Sequence, residues 1–394
     1  MYKQADHAPD WEEVFRDFHR HPELGFEEYR TTEKIRSVLT QENVEIIETD
    51  IPTGLIARVR GTRQQDTTSV PCRKIALRSD IDALPVTEES GLSYSSCNPG
   101  IMHACGHDFH TTVGLMCACS LNRIRDRFSG EIWFLFQPGE EVFYGAERLY
   151  GTGVLPDMDV YFGFHAQPDL EVGEVSIVPG PLMASVDGFR IAVTGVGTHA
   201  ATPEKGNNPI PALLDLIAEI TDYDLRQIPK DMPHIISFTH LQSGNAWNVI
   251  PKEAICEGTV RTFDEDLRKQ IETAIRDAVS HQSAASNTKI DLTWTRGSSS
   301  VINDGSLCAL AERAALSQHL INLVSPPVML GDDFGYYLLK DRRAKGLYIR
   351  IGTGKGYPLH HPGFQVSMRA LPVTSSFLCH LLTDALSADT LSFS

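Results

Sequence analysis

The chain has 394 residues, 42% hydrophobic and 22% charged, an ordinary globular composition that excludes a disordered, collagenous or coiled-coil protein. Thirty-five Lys and Arg against 51 Asp and Glu leave a formal charge of −16. That balance argues against nucleic acid or an anionic membrane as partner, since both need positive surface. No apolar stretch approaches the roughly 18 residues of a membrane helix, and the start, Met1 to His7, lacks the apolar core of a secretory signal. The eight Cys follow no regular framework, so the expectation is reduced thiols and a cytoplasmic protein.

At this length two domains are expected. Trp11, Val14, Phe15 and Phe18 have helical spacing behind Pro9-Asp10, and a second helix is predicted from about Glu27 to Leu39. Ile75–Leu77, Ile132–Phe136, Val160–Phe164 and Leu347–Ile351 are continuous apolar runs, as strands buried on both faces should be. Helices are predicted after His107-Asp108 and from about Ser306 to Ile321, which gives an α/β pattern of a mostly parallel sheet covered by helices. The middle reads differently. Phe189, Ile191 and Val193 alternate, Asn208-Pro209 opens a helix, Ile235–Leu241 and Ala254–Phe263 are strands, a helix carries Leu267 to Val279, and Ile290–Thr295 closes the set. The order βαββαβ is the ferredoxin-like split unit. The expected organisation is a discontinuous domain of residues 1–183 plus 297–394, with an α+β domain inserted at 184–296.

The chemistry-bearing residues sit at the ends of the large-domain strands. Asp80 and Asp82 follow the first, and Cys105 and His107 precede a helix. Glu140-Glu141 follow the second strand, His165 ends the third, and His360-His361 come after the last. Open α/β sheets bind ligands at these carboxyl ends. Thiolate, imidazole and carboxylate gathered on one edge point to a transition-metal site. Cys105, His107, Glu141, His165 and His360 are five candidate ligands. If one bridges, two metals receive three protein ligands each, with room for water, which is the catalytic arrangement. Such a pair, about 3.5–4 Å apart, activates a water and stabilises an oxyanion. Asp80 and Asp82 suit the orientation of an imidazole. Of Glu140 and Glu141, one carboxylate serves metal and the other is free to take a proton. Taken singly, each of these residues has an ordinary structural reading; their coincidence at four strand ends is what carries weight.

Gly-x-Met-His-Ala-Cys-Gly-His-Asp, from Gly100 to Asp108, resembles the signature of the hippurate hydrolase and indole-acetyl-amino-acid hydrolase branch of the co-catalytic metallopeptidases. Arg16-Asp-Phe-His-Arg-His-Pro-Glu-Leu, Gln137-Pro-x-Glu-Glu, Asn248-Val-Ile-Pro, Gly258-Thr-Val-Arg261 and Leu359-His360-x-Pro match in the same order, so the resemblance spans nearly the whole chain. It implies Cys105 as bridging ligand, His107 and His165 on one metal, Glu141 and His360 on the other, and Glu140 as general base. It also implies that the inserted domain is a dimerisation or lid domain. There Gly195-Val-Gly-Thr-His199-Ala resembles the loop whose histidine reaches the neighbouring subunit's site, and Asn248 and Arg261 resemble substrate-binding positions. Arg261 would suit a free carboxylate.

Gly331-Asp332-Asp333-Phe334 departs from the family's Gly-x-Glu-Asp-Phe, shortening one carboxylate by a methylene. His361 is a rival to His360 as ligand; the motif favours His360. The resulting expectation is a homodimeric amidohydrolase with two divalent ions per chain (Zn, Ni, Co or Mn) that cleaves N-acyl amino acids. The alternatives are a dipeptidase or carboxypeptidase, an N-acyl-diaminopimelate deacylase, a silent metal- or peptide-binding relative, or a thiol redox enzyme using Cys105. The last lacks a Cys-x-x-Cys.

Overall fold

A computed structural model describes residues 9–63, 73–341 and 343–387. Cys72 and the first residues, used above for the thiol and signal-segment readings, lie outside these. The chain divides into two compact units, Met1–Leu182 with Ile302–Pro326 and Asp333–Ser394, and Met183–Val301 with Pro327–Asp332.

The first unit is built on an eight-stranded sheet. Its spatial order is Glu45–Ile47, Leu55–Arg60, Glu131–Gln137, Lys74–Asp80, Val160–Gln167, Lys345–Gly352, Glu174–Ser176, Ile321–Asn322. The four central strands run parallel, and antiparallel pairings lie towards the edges. Ile75, Leu77, Ile132, Phe134, Phe136, Phe162, Phe164, Leu347 and Ile349 are buried, which is why these runs do not alternate. Each such side chain contributes about 1.5–3 kcal/mol of burial. Parallel strands place all four carboxyl ends on one edge, and that edge carries the polar residues singled out from the sequence.

Asp10 caps the first helix, Trp11–Arg20, by accepting from Glu13 N at 3.2 Å. The second helix starts at Tyr29 rather than Glu27, because Phe26 takes a left-handed backbone (φ 65°) and Glu27 N closes a turn onto Leu24 O. The helix predicted from Ser306 to Ile321 stops at Ser317. His319 is left-handed (φ 59°) and Leu320 N bonds back to Ala315 O, a Schellman-type stop that releases Ile321–Asn322 as an edge strand. The strand Leu55–Arg60 and the buried helix Ala370–Ser387 are among the elements that fall outside the sequence reading. Among the described residues no helix is long and apolar enough to cross a membrane.

The second unit has element order βαββαβ, from Ser185–Thr194 to Lys289–Arg296. Its four-stranded antiparallel sheet has the order His234–Ser243, Glu253–Thr262, Ser185–Thr194, Lys289–Arg296. The helices Pro209–Gln227 and Glu265–Ser286 share a core with it that includes Phe189, Ile191, Val193, Leu216, Ile271 and Ile275. Asn208 caps the first of them, accepting from Ile210 N at 3.1 Å. The boundary expected at 184–296 moves outward to Met183 and Val301, and the Pro327–Asp332 segment joins the unit. Val186 N donates to Ser298 O and Ala184 N to Leu330 O, pairings between residues far apart in sequence that no local pattern announces.

Candidate metal centre

The helix His107–Arg123 begins at the strand edge of the first unit. Its N-cap, Gly106, is left-handed (φ 84°), and a Cβ there would stand 2.9 Å from Ala166 Cβ, so only glycine lets the loop press this closely. The result is that Cys105 and His107 face the end of the Val160–Gln167 strand. Cys105 Sγ lies 3.4 Å from His165 Nε2. From far along the chain, His360 N donates to Ala104 O at 2.8 Å while His360 itself is held left-handed (φ 65°), a strained conformation of the kind that persists where surroundings over-determine it.

Two groups of potential ligands share Cys105. In one, donor atoms of Cys105, His107 and His165 all lie within 4.8 Å of one another; in the other, those of Cys105, Glu141 and His360 do. A third group joins His107 with Glu140 and Glu141. Glu141 Oε1 lies 3.9 Å from His107 Nε2 and 3.7 Å from His360 Nε2.

Hydrogen bonds assign which ring nitrogen faces the cluster. His107 Nδ1 donates to Asp82 Oδ1 at 3.2 Å, and His165 Nδ1 donates to Ala166 O at 2.8 Å. Both rings thereby turn Nε2 towards the cluster. His107 Nε2 and Glu141 Oε1 are buried without a hydrogen-bond partner, and the two orphans face each other. Burial, reinforced by the charges of Glu141, Glu140 and Asp80, pushes the Cys105 thiol well up. Burial also raises Glu141 to about 7, although His107 opposes it. Burial would lower His107, but Asp80 and Asp82 outweigh it and hold it at about 10. A cluster of thiol, imidazole and carboxylate donors that leaves His107 Nε2 and Glu141 Oε1 unmatched fits a divalent cation.

The sequence of this region has relatives. The profile of Peptidase family M20/M25/M40 matches residues 76–384. The chain belongs to that family. It is 38% identical over 371 residues to the N-acetylcysteine deacetylase of Bacillus subtilis (strain 168), covering 93% of this chain and 94% of the relative. It is 36% identical over 289 residues to the N-acyl-L-amino acid amidohydrolase of Geobacillus stearothermophilus, covering 73% and 76%. The crystal structure of the Bacillus subtilis YXEP protein, described as a dinuclear metal-binding peptidase from the M20 family, superposes with a TM-score of 0.82 at 35% identity, covering 96% of this chain and 98% of that one.

Within this M20 chain, sequence reasoning passed over His110 and named Asp333 only as part of the Gly331–Phe334 motif, without a role. His110 lies in one group with Asp80 and His107, yet both its nitrogens are committed: Nδ1 to Asp80 Oδ1, and Nε2 as acceptor from Ala166 N at 2.8 Å. It therefore braces the strand end beside His165. Its signal was the i, i+3 spacing from His107, which puts both on one helix face. Asp333 accepts from Arg78 Nη2 at 2.7 Å, from Gln137 Nε2 and from Ala146 N at 2.8 Å. Arg78 also pairs with Asp80. Burial would raise Asp80, but Arg78, His107 and His110 drive it well below the usual carboxylate range.

His199, Asn248 and Arg261 belong to the second unit. His199 is exposed and pairs with Val249 in a short ladder, and Ala200 N donates to Asn248 O at 3.0 Å, so His199 and Asn248 are neighbours. Arg261 is partly buried, and its Nη1 donates to Met329 O at 2.8 Å.

Proposed function

We propose that this chain is a dinuclear metal amidohydrolase that cleaves N-acyl amino acids to a carboxylic acid and a free amino acid. The observation that carries the reading is the pair of ligand groups sharing Cys105, with Glu140 beside them. Cys105 would bridge, His107 and His165 would hold one ion, and Glu141 and His360 the other. The mixed thiolate, imidazole and carboxylate set suits Zn, Ni, Co or Mn. The ions, when bound, supply Lewis-acid polarisation of a water and of the amide carbonyl. Glu140 takes the proton from the attacking water and returns it to the leaving amine. Asp82 orients His107, and Asp80 with Arg78 and His110 braces the strand ends. The names of the B. subtilis and G. stearothermophilus relatives support the substrate class. The hippurate hydrolase-like motifs extend it to aromatic acyl groups.

The reading includes a homodimer formed through the second unit. His234–Ser243 is an edge strand with an exposed Leu241, and the nearby Trp247 is 95% exposed. An unpaired edge can continue its ladder with a second copy. His199 would then serve the neighbouring chain's site, with Asn248 and Arg261 binding substrate.

The test is hydrolysis of a panel of N-acetyl, N-benzoyl and N-indoleacetyl amino acids by metal-reconstituted protein, with and without chelator. Chelator-sensitive release of free amino acid is expected. A metal-loaded protein that releases none from any member would overturn the reading.

A further inference from the structure

The two peptide N–H groups that flank Glu140 are each held by a buried carboxylate from a distant part of the chain. Gly139 N donates to Glu28 Oε1 at 2.8 Å, and Glu141 N donates to Asp82 Oδ2 at 2.9 Å. Asp82 also holds His107, so its burial is explained by the cluster. Glu28 has no such second duty.

Glu28 stands at the N-cap position of the Tyr29–Gln41 helix, yet its side chain makes no capping bond. Glu23 does that work, accepting from Arg30 N at 3.0 Å, Thr31 N at 2.8 Å and Thr31 Oγ1 at 2.9 Å. Glu28 is 0% exposed, and its Oε2 is buried without a hydrogen-bond partner. Burial and the charge of Asp82 raise it to about 7. Burying a carboxyl with one oxygen unmatched costs free energy, and nothing in its own helix repays that cost. Among the described residues, its one bond beyond its own helix and turn is to the loop that carries Glu140.

The preceding residues press on the same loop. Gly139 is left-handed (φ 63°), and a Cβ there would come within 2.7 Å of the Phe26 ring. Phe26 is itself left-handed (φ 65°), and the Arg148 guanidinium lies 5.1 Å from its ring centroid. A Cβ at Gly25 would meet Gly139 Cα at 3.2 Å and Asp82 Oδ2 at 3.3 Å. The Gly25–Glu28 segment is thus a clamp seated on the turn before Glu140, with the strained Phe26 packed against a turn that only glycine at 139 allows.

We propose that Glu28 is a positioning residue for the hydrolytic reaction. With Asp82 it brackets Glu140: Glu28 holds the Pro138–Gly139 peptide and Asp82 the Glu140–Glu141 peptide, which together limit how the backbone turns at Glu140 and so set the aim of its carboxylate. This rests on Glu140 being the proton carrier. Nothing in the role requires the charge of Glu28, only an acceptor oxygen at the right place.

The experiment compares Glu28→Gln, which keeps an acceptor oxygen, with Glu28→Met, which fills similar volume without one, each alone and combined with Glu140→Gln. Metal content and melting temperature are recorded for all. Glu28→Met should lower kcat by about 10- to 100-fold with KM within about threefold, because a misaimed reacting group costs rate rather than binding. Glu28→Gln should stay within about threefold of the parent kcat. In the Glu140→Gln background the Met substitution should add almost nothing, since the group it misaims is already gone. Parental kcat in folded Glu28→Met, or an equal loss in both backgrounds, overturns the proposal. If Glu28→Met does not fold, the Gln arm decides: a loss beyond about tenfold with metal retained overturns it, and near-parental kcat supports it. Undiminished turnover of metal-loaded Glu140→Gln would instead overturn the base assignment, and the proposal with it.

Discussion

Asp82 ties two parts of the candidate centre together: its Oδ2 accepts the backbone N–H of Glu141 at 2.9 Å, while its Oδ1 accepts from His107 Nδ1 at 3.2 Å. One carboxylate thereby sets both the tautomer of a proposed ligand and the backbone of the Glu140-Glu141 pair. Asp82→Asn offers a donor where an acceptor is needed. It is expected to lower metal content and kcat together, each by about 10- to 100-fold in affinity or rate. Metal analysis beside turnover checks this, and parental values of both would refute the assignment.

Glu140 and Glu141 are expected to separate cleanly. Glu140→Gln removes the proton carrier and leaves all five proposed ligands, so metal content should persist while kcat falls by about 10² to 10⁴. Glu141→Gln should lose metal. Identical behaviour of the two variants would contradict the division of roles.

Chelation should abolish hydrolysis, and a divalent metal should restore it, with close to two ions per chain at saturation. Metal should also raise the melting temperature, because a ligand that binds only the folded state stabilises it by mass action. The Cys105→Ser variant should bind metal more weakly in the same titration. A melting temperature indifferent to metal would argue against the site.

Stability should depend on pH through His19, which is buried between Asp108 (2.6 Å) and Glu88 (3.1 Å). Burial lowers its pKa, but the hydrogen bonds and charges of Asp108 and Glu88 raise it to about 9 from 6.5. A raised histidine contributes its stabilisation in full below its unfolded pKa and loses it as pH climbs from 6.5 through about 9. The shift corresponds to about 3 kcal/mol. Burial opposes the depression of Glu88, yet its bonds to His19 and Ser90 hold it at about 2 from 4.5, so the same contact also weakens as pH falls from 4.5 through about 2. Denaturant midpoints measured from pH 6.5 to 9.5 should fall more in the parent than in His19→Gln. Parallel curves would contradict the linkage.

If the active protein is a homodimer with His199 serving the neighbouring site, mixing Glu140→Gln chains with His199→Ala chains should restore activity. In the mixed dimer one site keeps both groups. Proven subunit exchange without recovery, or a strictly monomeric active enzyme, would refute the shared site.

Periodicity sufficed for the buried parallel strands and for the βαββαβ order, because continuous and alternating apolar runs are local features; motif spacing singled out Cys105, His107, Glu140, Glu141, His165 and His360, whose donor atoms the fold gathers in overlapping groups. The helix stop at His319, the left-handed turns at Phe26 and His360 and the burial of Glu28 were not legible, since each depends on what another segment presses against it. The same holds for His110 and Asp333. Whether a histidine is a ligand or a brace depends on where its second nitrogen points, and Ala166 N decides that for His110. The donor types and their order along the chain are properties of the sequence. Which lone pairs remain unmatched in the folded centre is a property of packing, because only the assembled strand ends determine which hydrogen bonds are already made.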